Sequence, residues 1–215
     1  MNNIINKELL SRIVSAIIFI PTAILPLIFS NYFSVVVYLL FITIILIELN
    51  EVKKNANKGY LFNIYLLIAL SSFYLFLLLL MTEKLNWSYL VLVIFIIWTF
   101  DTFSYIGGKI IGGKKLIPKI SSGKTISGLI SGILVTLLIF GLIYNSIENL
   151  IQISLFNVLI IILFSFIGDT TVSMLKRNAS IKDSGNIMPG HGGLLDRFDS
   201  FIMVFFMVGM LNLIR

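Results

Sequence analysis

The amino-acid sequence predicts an all-α protein: a polytopic bundle of about seven transmembrane helices, one integral membrane domain over residues 1–215, with its N-terminus in the cytoplasm. Three observations carry that reading. The composition is 58% apolar and only 12% charged, with a mean hydropathy of +1.03, against about 25% charged and 45–50% apolar in a soluble domain. Apolar runs close to the roughly 20 residues a bilayer-spanning helix needs recur along the whole chain. Lysine and arginine collect in alternate connections between those runs, which marks the cytoplasmic side.

The first run, 13–30, follows Lys7 and Arg12 as the core of a signal peptide would. It is too long for one and lacks a small-residue cleavage site before the next run, so it is expected to be a retained helix. Pro21 and Pro26 are expected to kink it. A short turn at Asn31 leads into the second run, 33–49, as a tight helical hairpin. Further spans are expected at 61–81, 88–106, 126–144 and 151–173. The last, 199–214, is short enough for a tilted or partly buried helix. No internal repeat is evident.

Counting cations orients the bundle. Lys7 and Arg12, Lys53, Lys54 and Lys58, the five lysines between Lys109 and Lys124, then Lys176, Arg177, Lys182 and Arg197 all fall on one side. Only Lys84 and Arg215 fall on the other. Both long polar loops, about 107–125 and 174–198, should therefore face the cytoplasm. The same bias explains the net charge of +6, so the lipid bilayer is the expected partner and nucleic acid is not. The absence of cysteine excludes disulfides, thiolate metal sites and cysteine nucleophiles.

Against this apolar background the stretch "SMLKRNASIKDSGNIMPGHGGLLDRFDS", residues 173–200, is a polar island. Asp169 precedes it at the end of the sixth span, and Asp101 lies at similar depth in the fourth. Ionisable groups in a spanning segment are costly, and by default they face the bundle interior and mark function; the alternative is a buried aspartate that ties helices together. Asp196 and Asp199, three apart, share a helical face. Carboxylate clusters suit Mg²⁺, although an acid at a helix start also complements the macrodipole. Asp169, Ser173, Lys176 and Arg177 form one stripe on a continuous helix, suited to a phosphorylated substrate. Lysine and arginine at such a helix end also serve as snorkelling anchors, and Lys182 beside Asp183 fits a surface pair. Gly190, Gly192 and Gly193 around His191 can bring backbone N–H groups to a phosphate or simply make a tight loop. A lone histidine is usually a local hydrogen-bonding residue.

The other loop, "GGKIIGGKKLIPKISSGKTISG", ends in a decoy. "SGKT" is like the end of a phosphate-binding P-loop, but Pro118 stands where the first glycine is needed and no strand is expected before it. An ATPase is excluded on that ground. The loop is still basic and glycine-rich enough to hold a polyphosphate or an anionic head group.

Residues 173–199 fit S-x-x-K-R-x4-K-D-x5-P-G-H-G-G-x-x-D-R-x-D at every fixed position. This resembles the signature of the phosphatidate cytidylyltransferases, or CDP-diglyceride synthases. The segment "DTFSYIGGKIIGGKKLIPKISSGKT" resembles that family's looser upstream region, with "SSGKT" in place of S-P-K-K-T. The resemblance covers about residues 95–215, the catalytic half; the first three spans match only in being hydrophobic, and the N-terminal region is short beside many members. It implies the reaction CTP + phosphatidate → CDP-diacylglycerol + diphosphate at the cytoplasmic face of the inner (plasma) membrane, by a Mg²⁺-dependent homodimer, with a second metal ion left open. By the same resemblance Asp169 and Asp196 are metal ligands, and Asp183 and Asp199 support the metal or the ribose. Lys176, Arg177 and Arg197 hold phosphates, with Ser173 hydrogen-bonded to a phosphate or to the metal shell. Lys124, Lys182, His191, Gly192, Gly193 and Asp101 are the expected substrate-binding residues. The nearest rivals are a polyprenol-type lipid kinase or an archaeal-lipid cytidylyltransferase. A CDP-alcohol phosphatidyltransferase would need D-G-x2-A-R, which is absent, and a transporter would more often show similar halves.

Overall fold

The computed structural model describes residues 17–82, 86–147, 153–187 and 192–214. Seven helices are described: α1 (Ile17–Phe29), α2 (Asn31–Lys54), α3 (Gly59–Met81), α4 (Trp87–Ile110), α5 (Ile126–Ile147), α6 (Leu155–Asn178) and α7 (Leu195–Ile214). Helices α2 to α6 are long and apolar enough to cross a membrane; α1 is shorter, and α7 opens on a charged turn. The helices run past their expected ends. Helix α2 continues through Glu48 to Lys54, α4 through two glycines to Ile110, and α6 through Lys176 and Arg177 to Asn178. Polar residues end an apolar run without ending a helix, whose backbone bonds are made internally whatever the side chains are.

The architecture is helical, with one addition. The chain is not purely helical, because strands β1 (Lys115–Ile117) and β2 (Ser121–Thr125) form an antiparallel hairpin between α4 and α5. A strand therefore does precede "SGKT", contrary to expectation, but Gly123, Lys124 and Thr125 lie inside the second strand rather than in a loop opening a helix.

Packing has two modes. Helices α1, α2, α3 and α7 meet through rings: Tyr38 lies 4.8 Å from Phe76, Phe76 stacks on Phe205 at 4.6 Å, and Phe19 meets Phe198 edge-on at 5.8 Å. The Tyr38 hydroxyl donates to the Ala23 carbonyl at 2.8 Å, closing the α1–α2 hairpin across Ser30. Helices α4 and α5 meet through small residues instead. A side chain at Gly107 would strike Ser131, and one at Gly132 would strike Ser104 and Phe100. Such close backbone approach is how helices associate where lipid supplies no hydrophobic drive.

The polar ends gather on one side. Asn57 N–H donates to the Asn178 carbonyl at 3.4 Å, and Arg177 Nε donates to the Ile120 carbonyl at 3.1 Å. The α2–α3 connection, the hairpin and the end of α6 thus lie together, next to the start of α7.

Candidate active site

Helix α6 delivers the first carboxylate. Gly168 has no room for a side chain, which would collide with the Asp199 carbonyl, so α6 and α7 cross closely at this point. Asp169, the next residue, opens into a cavity of about 750 Å³ between α4, α5, α6, α7 and the hairpin. Its Oδ2 pairs with Lys124 Nζ at 3.0 Å, and its Oδ1 accepts from Ser173 Oγ at 3.3 Å. Lys124 also donates to Thr170 Oγ1 at 2.8 Å and lies 4.6 Å from the Phe166 ring centre. The loop lysine and the helix aspartate, far apart in sequence, are in direct contact.

Helix α7 delivers the second. Asp196 sits in its first turn, where unpaired backbone N–H groups favour an acid. Its Oδ1 accepts from Lys176 Nζ at 2.6 Å, and its Oδ2 from the Ser184 N–H at 2.9 Å and the Gly193 N–H at 3.1 Å. Gly192, at φ +87, leaves no space for a side chain beside that oxygen.

Five of the sequence-predicted residues line the one cavity: Asp101, Lys124, Asp169, Asp196 and Asp199. Two more touch it through a partner, Ser173 through Asp169 and Lys176 through Asp196. The stripe on α6 therefore divides, with its first half facing the cavity and its second half holding neighbouring segments. Arg177 donates from Nη1 to the Ile181 carbonyl at 2.6 Å as well as to Ile120, so two of its donors fasten the hairpin to the α6–α7 connection. Lys182 and Asp183 are exposed and Arg197 is partly buried; none of the three lines the cavity. The Gly193 N–H, a candidate phosphate donor by sequence, is spent on Asp196. His191 lies outside the described residues.

Sequence reasoning missed three groups. Lys109 and Lys115 line the cavity with Lys124, so that a lysine wall from the end of α4 and the hairpin faces the carboxylates. Glu48 on α2, 2% exposed, binds the start of α7. Its signal was available: an acid at the end of an apolar run, the same cost argument that singles out Asp101 and Asp169.

Among the described residues no group of three or more histidines or acids stands close enough to hold a metal by itself. Asp169 and Asp196, which both line the cavity, are donors of the kind Mg²⁺ takes: one or two carboxylates, with water and substrate phosphate completing the shell. Asp169, with its side chain 35% exposed, has the freer oxygens; that of Asp196 is 6% exposed.

Residues 3–214 match the cytidylyltransferase family. The chain is 36% identical to the phosphatidate cytidylyltransferase of Rickettsia bellii (strain RML369-C) over 95% of its own length and 92% of that protein's. It is also 36% identical to that of Rickettsia typhi (strain ATCC VR-144 / Wilmington), over 89% of this chain and 86% of the relative. With the phosphatidate cytidylyltransferase of Staphylococcus aureus (strain COL) it shares 40% identity over 57% of its length and 48% of the relative. The likeness thus reaches well before residue 95, into the first three helices.

Proposed function

Because the chain belongs to the cytidylyltransferase family, we propose that it is a phosphatidate cytidylyltransferase, converting CTP and phosphatidate into CDP-diacylglycerol and diphosphate. The observation that carries the reading is the cavity in which Lys109, Lys115 and Lys124 face Asp101, Asp169, Asp196 and Asp199. In this reaction a phosphatidate oxygen forms a bond to the α-phosphorus of CTP, and the bond from that phosphorus to the bridging oxygen breaks as diphosphate leaves. The attacking phosphate is already an anion, so no side chain has to remove a proton. The difficulty is repulsion among anions, which positioning and charge neutralisation overcome.

The lysine wall suits the triphosphate, and Lys124 pairs directly with Asp169. Asp169 and Asp196 are the residues to hold Mg²⁺, with Asp101 and Asp199 beside them; the ion would supply charge neutralisation between attacking and leaving oxygens. The exposed apolar belt of the helices keeps the diacyl chains in lipid while the head group reaches the cavity.

The finer topology belongs to the same reading: about seven spans, N-terminus and cavity on the cytoplasmic face of the inner membrane. It is supported by the fourteen-to-two distribution of cations and by the gathering of the basic connections at the cavity end. A homodimer is proposed on the family resemblance alone. The test is to incubate purified protein with labelled CTP, phosphatidate and Mg²⁺; a CDP-lipid and diphosphate in equal amounts are expected. No labelled lipid from well-folded protein in mixed micelles would sink the proposal.

A further inference from the structure

Glu48 belongs to none of the elements that build the cavity, yet its carboxylate is fully engaged by residues beside Asp196. Oε1 accepts from the Leu194 N–H at 2.9 Å; Oε2 accepts from the Leu195 N–H at 2.8 Å and from Ser184 Oγ at 3.1 Å. The backbone N–H groups of Ser184 and the adjacent Gly193 donate to Asp196. Ser184 and the Gly193–Leu195 backbone are thus held from one side by Glu48 and from the other by Asp196. Two glycines make the grip possible: a side chain at Gly185 would lie 2.8 Å from Glu48 Oε1, and one at Gly193 would collide with Oε2 and with the Ser184 hydroxyl.

The start of a helix is normally capped by a nearby Ser, Thr, Asp or Asn. Here the acceptor comes from another helix, so the orientation of the first turn of α7 depends on where α2 stands. We propose that Glu48 is a positioning residue, which fixes the Ser184 and Gly193–Leu195 backbone so that the Asp196 carboxylate keeps one orientation in the cavity. The role rests on the reading of the cavity given above. It also reassigns part of the "GHGG" signal: Gly193 is required for the approach of Glu48, independently of any phosphate.

Glu48→Gln keeps the shape but replaces one acceptor oxygen with an NH₂ that faces an N–H donor. Lost support of a metal-binding carboxylate typically costs about 10- to 100-fold in metal affinity or activity. The full-length variant should show kcat lowered and Mg²⁺ half-activation raised by about that range, with KM for CTP nearly unchanged. Amide exchange, read independently of activity, should quicken in the peptide covering 184–187 and 192–196. Glu51→Gln, on an exposed position of the same helix, should match wild type. Where Glu48→Gln does not fold, Ser184→Ala removes one contact and should show the same signature at smaller size.

A folded Glu48→Gln protein with wild-type kcat and Mg²⁺ half-activation would overturn the role, whatever its thermal stability; so would a wild-type response from Ser184→Ala when Glu48→Gln is unfolded. Wild-type protein that makes no CDP-lipid would instead remove the proposed function, and this role with it.

Discussion

Helix α6, at Asp169, and the first turn of α7, at Asp196, each bring a carboxylate to the cavity, and they hold it differently. Asp169 is held by side chains, those of Lys124 and Ser173, and stays open to the cavity. Asp196 is clamped by two backbone N–H groups and by a lysine whose side chain is itself 12% exposed. A side-chain partner can rotate away when a ligand arrives; a backbone partner moves only if the loop moves. On the proposed reading, Asp169 would be the exchangeable ligand and Asp196 the fixed reference against which it works. Lys124 is the cation paired with Asp169 in the protein by itself, at the position the proposal gives to substrate and metal.

The comparison breaks most visibly at Asp196. Asp196→Asn removes the counter-charge of a nearly buried ammonium, and removing one member of such a pair costs on the order of 3 kcal/mol. The expected outcome is a double loss: a lower Tm in scanning fluorimetry and a fall in kcat of about 10²-fold or more. Normal Tm with normal activity would show that the clamp carries neither load.

At Asp169 the two effects should separate. Asp169→Asn leaves no buried lysine stranded, because Lys124 keeps the Thr170 hydroxyl and the Phe166 ring. Tm should stay near wild type while kcat falls about 10²-fold, the scale of losing one strong electrostatic stabiliser. Raised Mg²⁺ should recover part of the loss. A drop in Tm as large as that of Asp196→Asn would erase the distinction between the two ends.

That distinction was only half visible in the sequence. The spacing of Asp169, Ser173, Lys176 and Arg177 announced a common face, and the fixed pattern over 173–199 announced the chemistry. Nothing in the spacing says that the stripe divides, because the division depends on which neighbour each side chain meets: Lys124 of the hairpin for Asp169, the Ile120 carbonyl for Arg177, the α7 turn for Lys176. The hairpin escaped notice because five polar and glycine residues in "SSGKT" have no alternation of apolar side chains to signal a strand. Helix ends were misplaced wherever glycine or lysine closed an apolar run. The spans themselves were legible, since a bilayer demands length and apolarity from each one separately.

A smaller effect is expected at Lys124. Lys124→Ala frees Asp169 and removes one of three cavity lysines, so KM for CTP should rise by about tenfold, the equivalent of roughly 1.4 kcal/mol, with a lesser change in kcat. Because "SGKT" is part of a strand and not a P-loop, neither protein should hydrolyse ATP, measured as phosphate release. Sustained ATP turnover by wild type would revive the nucleotide-hydrolysing reading.

The smallest effect on turnover should come from changes that only report which way the cavity faces. The chain has no cysteine, so single cysteines can be labelled without background. Ser122 and Asn186 are exposed near the cavity end, and Thr82 is exposed at the opposite end of α3. Ser184, though central to the island, is buried and engaged with Glu48, and would label poorly from either side. In intact cells an impermeant maleimide should modify Thr82→Cys alone; in inverted vesicles it should modify Ser122→Cys and Asn186→Cys. Thr82→Cys should turn over substrate within about twofold of wild type, as surface substitutions away from a site generally do. Modification of Asn186→Cys from outside intact cells would put the exchangeable and the fixed aspartate on the wrong side of the membrane for cytoplasmic CTP, and the charge count would then need another explanation.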